Sequence, residues 1–108
     1  MQRDNCMVAT KKERDLMNER KISAAEFFKA LGHPMRLGIV EFLTHGEHTV
    51  TQIMTSRGIS QGLTSQHLAV LRNAGIVDKR SSGSLRTYFL KDPAKTKAIL
   101  HLASKRGS

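Results

Sequence analysis

Ser60-Gln61-Gly62-Leu63-Thr64-Ser65-Gln66-His67-Leu68 is the stretch on which the reading of this chain turns. Ser60 offers a hydroxyl that can cap a helix, and the residues after it mix apolar anchors with small, hydroxyl and amide side chains. Gly58, two residues upstream, closes an amphipathic segment. Exposed glutamine, serine and threonine are poor core material, yet they suit nucleic acid. An amide pairs bidentately with adenine, and a hydroxyl serves base edge or phosphate alike. The run reads as a helix that meets DNA.

Gly58-Ile59-Ser60 is then a three-residue turn between two predicted helices, about 50–57 and 61–74. Helix, short glycine-containing turn and helix make a helix-turn-helix. On a helical wheel Leu63, His67, Val70, Leu71 and Ala74 share an inward arc, with Leu68 at its edge. Gln61, Gly62, Ser65, Ala69 and Arg72 take the opposite arc, flanked by Gln66. That outward arc starts at the helix N-terminus, where the dipole and free N–H groups favour phosphate. Thr64 and His67 lie toward the inner side, and His67 reads as a packed, hydrogen-bonded histidine in preference to a DNA ligand. Arg36 reads as a structural ion pair, and Arg72 as an outward contact or a solvated side chain.

Upstream, residues 1–9 are expected to be a disordered tail that carries the single cysteine, Cys6. Residues 10–31 are helix-permissive, with Ile22, Ala25, Phe28 (Phe27 beside it) and Leu31 at helical spacing. Gly32 stops that helix, and Pro34 starts a second over about 34–44, with Leu37, Ile39, Val40 and Leu43 inward. His45 to His48 reads as a loop, and Thr49 or Thr51 caps a third helix anchored by Val50, Ile53 and Met54. Downstream, Gly75 ends the DNA-reading helix. Residues 76–81 and 85–90 are two predicted strands joined by Ser82-Gly83-Ser84, a hairpin carrying Lys79, Arg80, Arg86 and Lys91. A last helix spans 94–104, with Ala94, Ala98, Ile99, Leu102 and Ala103 on its apolar side. The fold class expected is mainly α with a two-stranded β wing, a winged helix-turn-helix over residues 10–104 followed by a tail at 105–108.

Charge supports this assignment. Residues 1–52 carry eight basic and seven acidic side chains, whereas residues 53–108 carry ten and two, so +8 of the net +9 lies in the half holding the opening run. A basic region of this kind suits a polyanion, because each phosphate neutralised releases counterions. One cysteine excludes an internal disulfide framework and a cysteine-rich zinc module. No apolar stretch nears the about 20 residues of a membrane span, and Met1 to Val8 lacks a signal-peptide core, so a cytoplasmic location without membrane contact is expected. No nucleophile, base and orienting group cluster, and no glycine loop cradles phosphate, so an enzyme is not expected.

With these elements in order, the chain resembles the ArsR/SmtB family of bacterial winged-helix regulators. Ala30-Leu31-Gly32-His33-Pro34-Met35-Arg36-Leu37 is similar to that family's AL-x-HP-x-R-L motif at the start of its second helix. Ile59-Ser60-Gln61, His67-Leu68-Ala69-Val70-Leu71, Ala74-Gly75-Ile76-Val77 and the wing residues Arg80, Gly83, Tyr88 and Leu90 carry the likeness through about residue 92. The resemblance implies a repressor acting as a homodimer, built by the first and last helices and set on a palindromic double-stranded DNA operator. Residue by residue it implies DNA contacts from Gln61, Gly62, Thr64, Ser65 and Gln66, with wing support from Arg80 and Arg86.

Sensing is the open question at this level. Many members of that family release DNA on metal binding, often through Cys-x-Cys at the start of the third helix. Here Glu47-His48-Thr49-Val50-Thr51-Gln52 has threonine in place of thiolates, and threonine lacks the soft sulfur such metals need. On the last helix only His101, with Asp92 before it, corresponds to the family's other familiar metal site. His45 and His48 are candidate ligands for nickel or zinc, against a reading as solvated polar residues. Redox control through Cys6, a regulatory partner protein and constitutive repression stay open as alternatives, and Arg106-Gly107-Ser108 carries no functional weight. The rival to a sequence-specific regulator is a sequence-tolerant, basic architectural nucleic-acid-binding protein. A winged helix kept only for protein contacts is opposed by the basic wing.

Overall fold

Capping chemistry sets the helix boundaries in the computed structural model, which describes residues 10–104 apart from the side chains of residues 17–22. α1 (Lys11–Leu31) opens on a capping box: Thr10 Oγ1 accepts from Glu13 N at 3.1 Å, and Glu13 Oε1 accepts from Thr10 N at 2.8 Å. The Thr10 backbone N–H, and then its hydroxyl, hold the Glu13 carboxyl below its ordinary pKa. α2 (Pro34–Leu43) has proline in its first turn and His33 as cap, whose Nδ1 accepts from Met35 N at 3.1 Å. After β1 (His48–Thr49), α3 (Val50–Arg57) opens on a second capping box, Thr49 with Gln52. α4 (Gln61–Asn73) is capped by Ser60, whose Oγ accepts from Leu63 N at 3.2 Å. β2 (Val77–Ser82), β3 (Leu85–Leu90) and α5 (Pro93–Ser104) complete the order.

The turn between α3 and α4 depends on Gly58, which sits in the left-handed region at φ 65° and ψ 39°. From there its N–H and that of Ile59 both reach Met54 O, at 2.8 and 3.3 Å, and close the end of α3. A side chain at Gly58 would meet no neighbour within 4 Å, so the requirement is one of backbone conformation alone.

A two-stranded wing was expected; the sheet has three strands. The order is β1-β3-β2, all antiparallel, with His48 opposite Tyr88 and Thr49 opposite Thr87. The expected loop at 45–48 therefore ends in a strand. Two residues paired with a strand 40 positions downstream leave no local periodicity to read. The hairpin turns through Gly83-Ser84, with the positive φ of 64° at its first central residue, as a type II′ turn requires.

The core gathers Phe27, Ala30 and Leu31 of α1 with Ile39, Val40 and Leu43 of α2. Ile53 of α3, Leu68 and Leu71 of α4, Ile76, and Val77, Tyr88 and Leu90 of the sheet complete it. The faces of α2 and α3 match expectation, although Leu37, Val50 and Met54 are only half-buried. The inward face of α1 turns on Phe27 instead of Phe28, which is 58% exposed, while Ile22 lies outside the described side chains. α5 departs further. Ala94, Ala98, Leu102 and Ala103 are exposed, Ile99 and Leu100 are half-buried, and Thr96 alone is buried. The proposed tails and Cys6 lie outside the described residues.

Because the Gly58 conformation costs a side-chain-bearing residue about 1–2 kcal/mol, Gly58→Ala is expected to lower the unfolding free energy by about that much. Urea denaturation followed by circular dichroism measures it; an unchanged midpoint would refute the role given to this turn.

Candidate nucleic-acid interface

α4 buries one arc, Thr64, His67, Leu68 and Leu71, spaced at i, i+3, i+4 and i+7. Leu63 and Val70, both expected inward, are each 40% exposed. The inner face is therefore rotated toward Thr64, and a local hydrogen bond is the reason. Thr64 Oγ1 donates to Ser60 O at 2.8 Å, so its hydroxyl enters the core already satisfied. Thr64, with no exposed surface, is thus a packing residue and leaves the set of candidate DNA contacts. Gln61, Gly62, Ser65 and Gln66 stay exposed, together with Ala69 and Arg72.

His67 is buried where three segments meet. Its ring centroid lies 4.8 Å from that of His33, and its Nδ1 lies 3.5 Å from Arg36 Nη1. Burial foremost, then the charges of His33 and Arg36, hold its pKa below the ordinary 6.5. Among the described residues Arg36 makes no ion pair, where one was expected from the sequence. Its Nε donates to Ala30 O at 2.7 Å and its Nη2 to Lys29 O at 3.4 Å, so the guanidinium caps the C-terminal carbonyls of α1.

The wing's two arginines lie on opposite faces of the sheet. Side chains alternate along a strand, and β3 buries Tyr88 and Leu90, so Arg86 points to the helix side while Thr87 and Phe89 point away. Thr49 and Thr51 from the start of α3, Gln61 and Ser65 of α4, and Ser84 and Arg86 of the wing line one cleft of about 290 Å³. Arg80, opposite Thr87, belongs to the other face. There it pairs with the Glu47 carboxylate, and its Cζ sits 4.6 Å from the centroid of the Phe89 ring. The Glu47 hydrogen bond and charge raise the Arg80 pKa further. Arg72 leans on Asp78 at 3.5 Å. The Lys79 N–H first, with Arg72 and Lys91 adding, keeps the Asp78 carboxyl below its usual range.

The two metal candidates are not assembled. His48 stacks on Phe42 with centroids 3.8 Å apart and planes 12° off parallel, and its Nδ1 lies 3.2 Å from Gln52 Oε1. His45 is exposed, and among the described residues no three His, Cys, Asp or Glu side chains converge, so nickel or zinc finds no ready centre there. Nor is any helix among the described residues long and apolar enough to cross a membrane. Glu47, weighed in the sequence only as the acid between His45 and His48, and Thr51 were not among the DNA contacts expected from sequence. Their relation to the wing depends on strand pairing between distant segments, and no local pattern marks it.

Because folding lowers the His67 pKa, the folded state favours the neutral ring. That contribution is present above about pH 6.5 and is lost as pH falls through the folded value. Urea midpoints taken from pH 7.5 down to 5.5 should fall more steeply for the wild type than for His67→Gln. Parallel curves would remove the titration from this histidine.

Comparison with known proteins completes the site. The family description "Bacterial regulatory protein, arsR family" matches residues 33–79, from the α2 cap into β2. An HTH-type transcriptional regulator of Methanocaldococcus jannaschii is 36% identical over 88 residues, covering 81% of this chain and 98% of that protein. A probable mercury resistance operon repressor of Streptomyces lividans is 38% identical over 71 residues, 66% of this chain and 57% of the relative. Two regulators of Mycobacterium tuberculosis are likewise spanned over only 61% of their length. Among solved structures, the transcriptional repressor BigR of Xylella fastidiosa superposes with a TM-score of 0.67 at 32% identity, over 86% of this chain and 98% of that one. A homodimeric winged helix-turn-helix DNA-binding domain of Mycobacterium bovis does so at 0.74 and 25% identity, over 87% and 86%. With α4 packed on one arc and presenting polar side chains beside a basic wing, and with these matches, the chain belongs to the ArsR family of helix-turn-helix transcriptional regulators.

Proposed function

We propose that this regulator is a sequence-specific, dimeric repressor that reads a palindromic operator through α4 and its wing. The observation that carries the proposal is the shared cleft, in which Gln61 and Ser65 on α4 face Arg86 on the wing. The amide and hydroxyl have the chemistry to read base edges, and Arg86 has the charge to hold phosphate beside them. Gly62 supports the same reading, since a Cβ there would meet nothing of the protein within 4 Å. Its absent side chain leaves room for a DNA backbone.

Two copies are needed to present two α4 helices to a two-fold operator, with half-sites about 34 Å apart. Leu16, Phe28 and Leu102 are 45, 58 and 68% exposed. Leu16 and Phe28 border a groove of about 600 Å³ that α1 forms with the end of α4 and with Lys95 and Ile99 of α5. A second copy covering α1 and α5 accounts for these surfaces, and the Mycobacterium bovis relative is a homodimer. The architectural alternative explains the charge but gives no reason for an exposed amide and hydroxyl arc on a packed helix.

Footprinting on the protein's own promoter region should show a protected inverted repeat; uniform coating would favour the architectural role. Gln61→Ala and Ser65→Ala should each cost about 1–3 kcal/mol on that operator and little on random duplex at the same salt. Equal losses on both DNAs would defeat base reading by these side chains. Phe28→Glu should yield monomers in analytical ultracentrifugation and abolish tight operator binding. A dimer that persists would move the interface elsewhere.

A further inference from the structure

The wing's charge is divided in a way that its composition conceals. Extending the β1–β3 register by one residue sets Glu47 opposite Phe89, on the sheet face that also carries Arg80. β1 and β2 are the two edges of the sheet, with β3 between them. Arg80 therefore reaches from one edge, across the Phe89 ring, to a carboxylate at the other. Among the described residues Arg86 has no such carboxylate partner, and it opens into the cleft with Gln61 and Ser65.

We propose that Glu47 is an internal counter-ion that withholds Arg80 from DNA phosphate, so that the wing engages DNA through Arg86 and sequence-independent attraction is restrained. This rests on the reading of the chain as an operator-binding repressor. An arginine already neutralised by a carboxylate has no condensed counterion to displace from DNA, so it adds nothing to the salt-dependent, non-specific part of binding. The ratio of operator to random-site affinity decides whether a regulator finds its site among competing DNA. Neutralising a cation on the face away from the cleft raises that ratio without touching base contacts. Phe89 keeps the arrangement in place: the guanidinium lies over its ring, so the arginine is held along the sheet and not out into solvent. The pair is still open to water, with side-chain exposures of 57% for Arg80 and 49% for Glu47. Once the carboxylate is gone, Arg80 is free to turn outward.

The test is a double-mutant cycle on the full chain. Binding to a random duplex is measured by fluorescence anisotropy across a salt series for wild type, Glu47→Gln, Arg80→Gln and the double variant. Arg80→Gln alone should leave the slope of log K against log salt unchanged. Glu47→Gln should steepen it by about one and tighten random-duplex binding about 3- to 10-fold near 0.1 M salt. Both effects should vanish when Arg80→Gln is added. A slope already reduced by about one in Arg80→Gln would show that Arg80 touches phosphate in the wild type, and the proposal falls. It falls equally if Glu47→Gln changes nothing, or tightens binding as much without Arg80 as with it. The same cycle on heparin, read as the salt needed for elution, separates the two proposals. Loss of operator preference with the heparin cycle intact defeats the repressor reading alone. An absent cycle on heparin and duplex defeats the counter-ion.

Discussion

The polar face that α4 presents depends on its inner arc remaining buried with its polar groups satisfied. Leu68 and Leu71 supply the apolar burial, worth about 1.5–3 kcal/mol each relative to exposure. Two polar residues share that arc: Thr64, satisfied through the Ser60 carbonyl, and His67, whose burial lowers its pKa, beside Arg36. Arg36 in turn closes the C-terminal end of α1 through Ala30 and Lys29. One guanidinium thus links the end of α1, the first turn of α2 and the middle of α4. The orientation of Gln61 and Ser65 follows from that junction, because a helix gripped on one arc has no freedom in the direction of the other.

The wing obeys a different constraint, the two-residue alternation of a strand. Arg80 and Arg86 stand on neighbouring strands, yet the register sends them to opposite faces. Only Arg86 joins the α4 cleft. β1 contributes on both counts, since Thr49 pairs with Thr87 and also caps α3, so the sheet and the helix-turn-helix share a residue. The wing and the start of α3 are therefore tied through the β1 pairing and the Thr49 cap as well as through core packing.

Where local chemistry decided the outcome, the sequence was legible. Thr10, Pro34, Ser60, Gly58 and Gly75 mark caps and turns by their own side chains or their lack of one, and the helix boundaries fall within a residue or two of expectation. The wing hairpin was equally plain from its β-branched and aromatic run around Gly83. What failed was the placing of particular apolar residues on α1 and α4. Apolar weighting placed Leu63, Val70 and Phe28 inward, whereas a self-satisfied threonine and a neighbouring phenylalanine took those places. The missing third strand failed for a related reason, since two residues carry no period.

The sequence by itself determined a basic winged helix-turn-helix with a hydroxyl and amide arc on its second helix, because propensity, capping and charge are written residue by residue. Tertiary structure alone decided that Leu63 and Val70 stay partly exposed, that Arg36 reaches the carbonyls at the end of α1, and that Glu47 claims Arg80. The last joins groups 33 residues apart in the chain, brought together only when the core and sheet close. A burial cost, a carbonyl left open at a helix end and an unpaired charge are properties of that closed arrangement. No stretch of chain carries them alone.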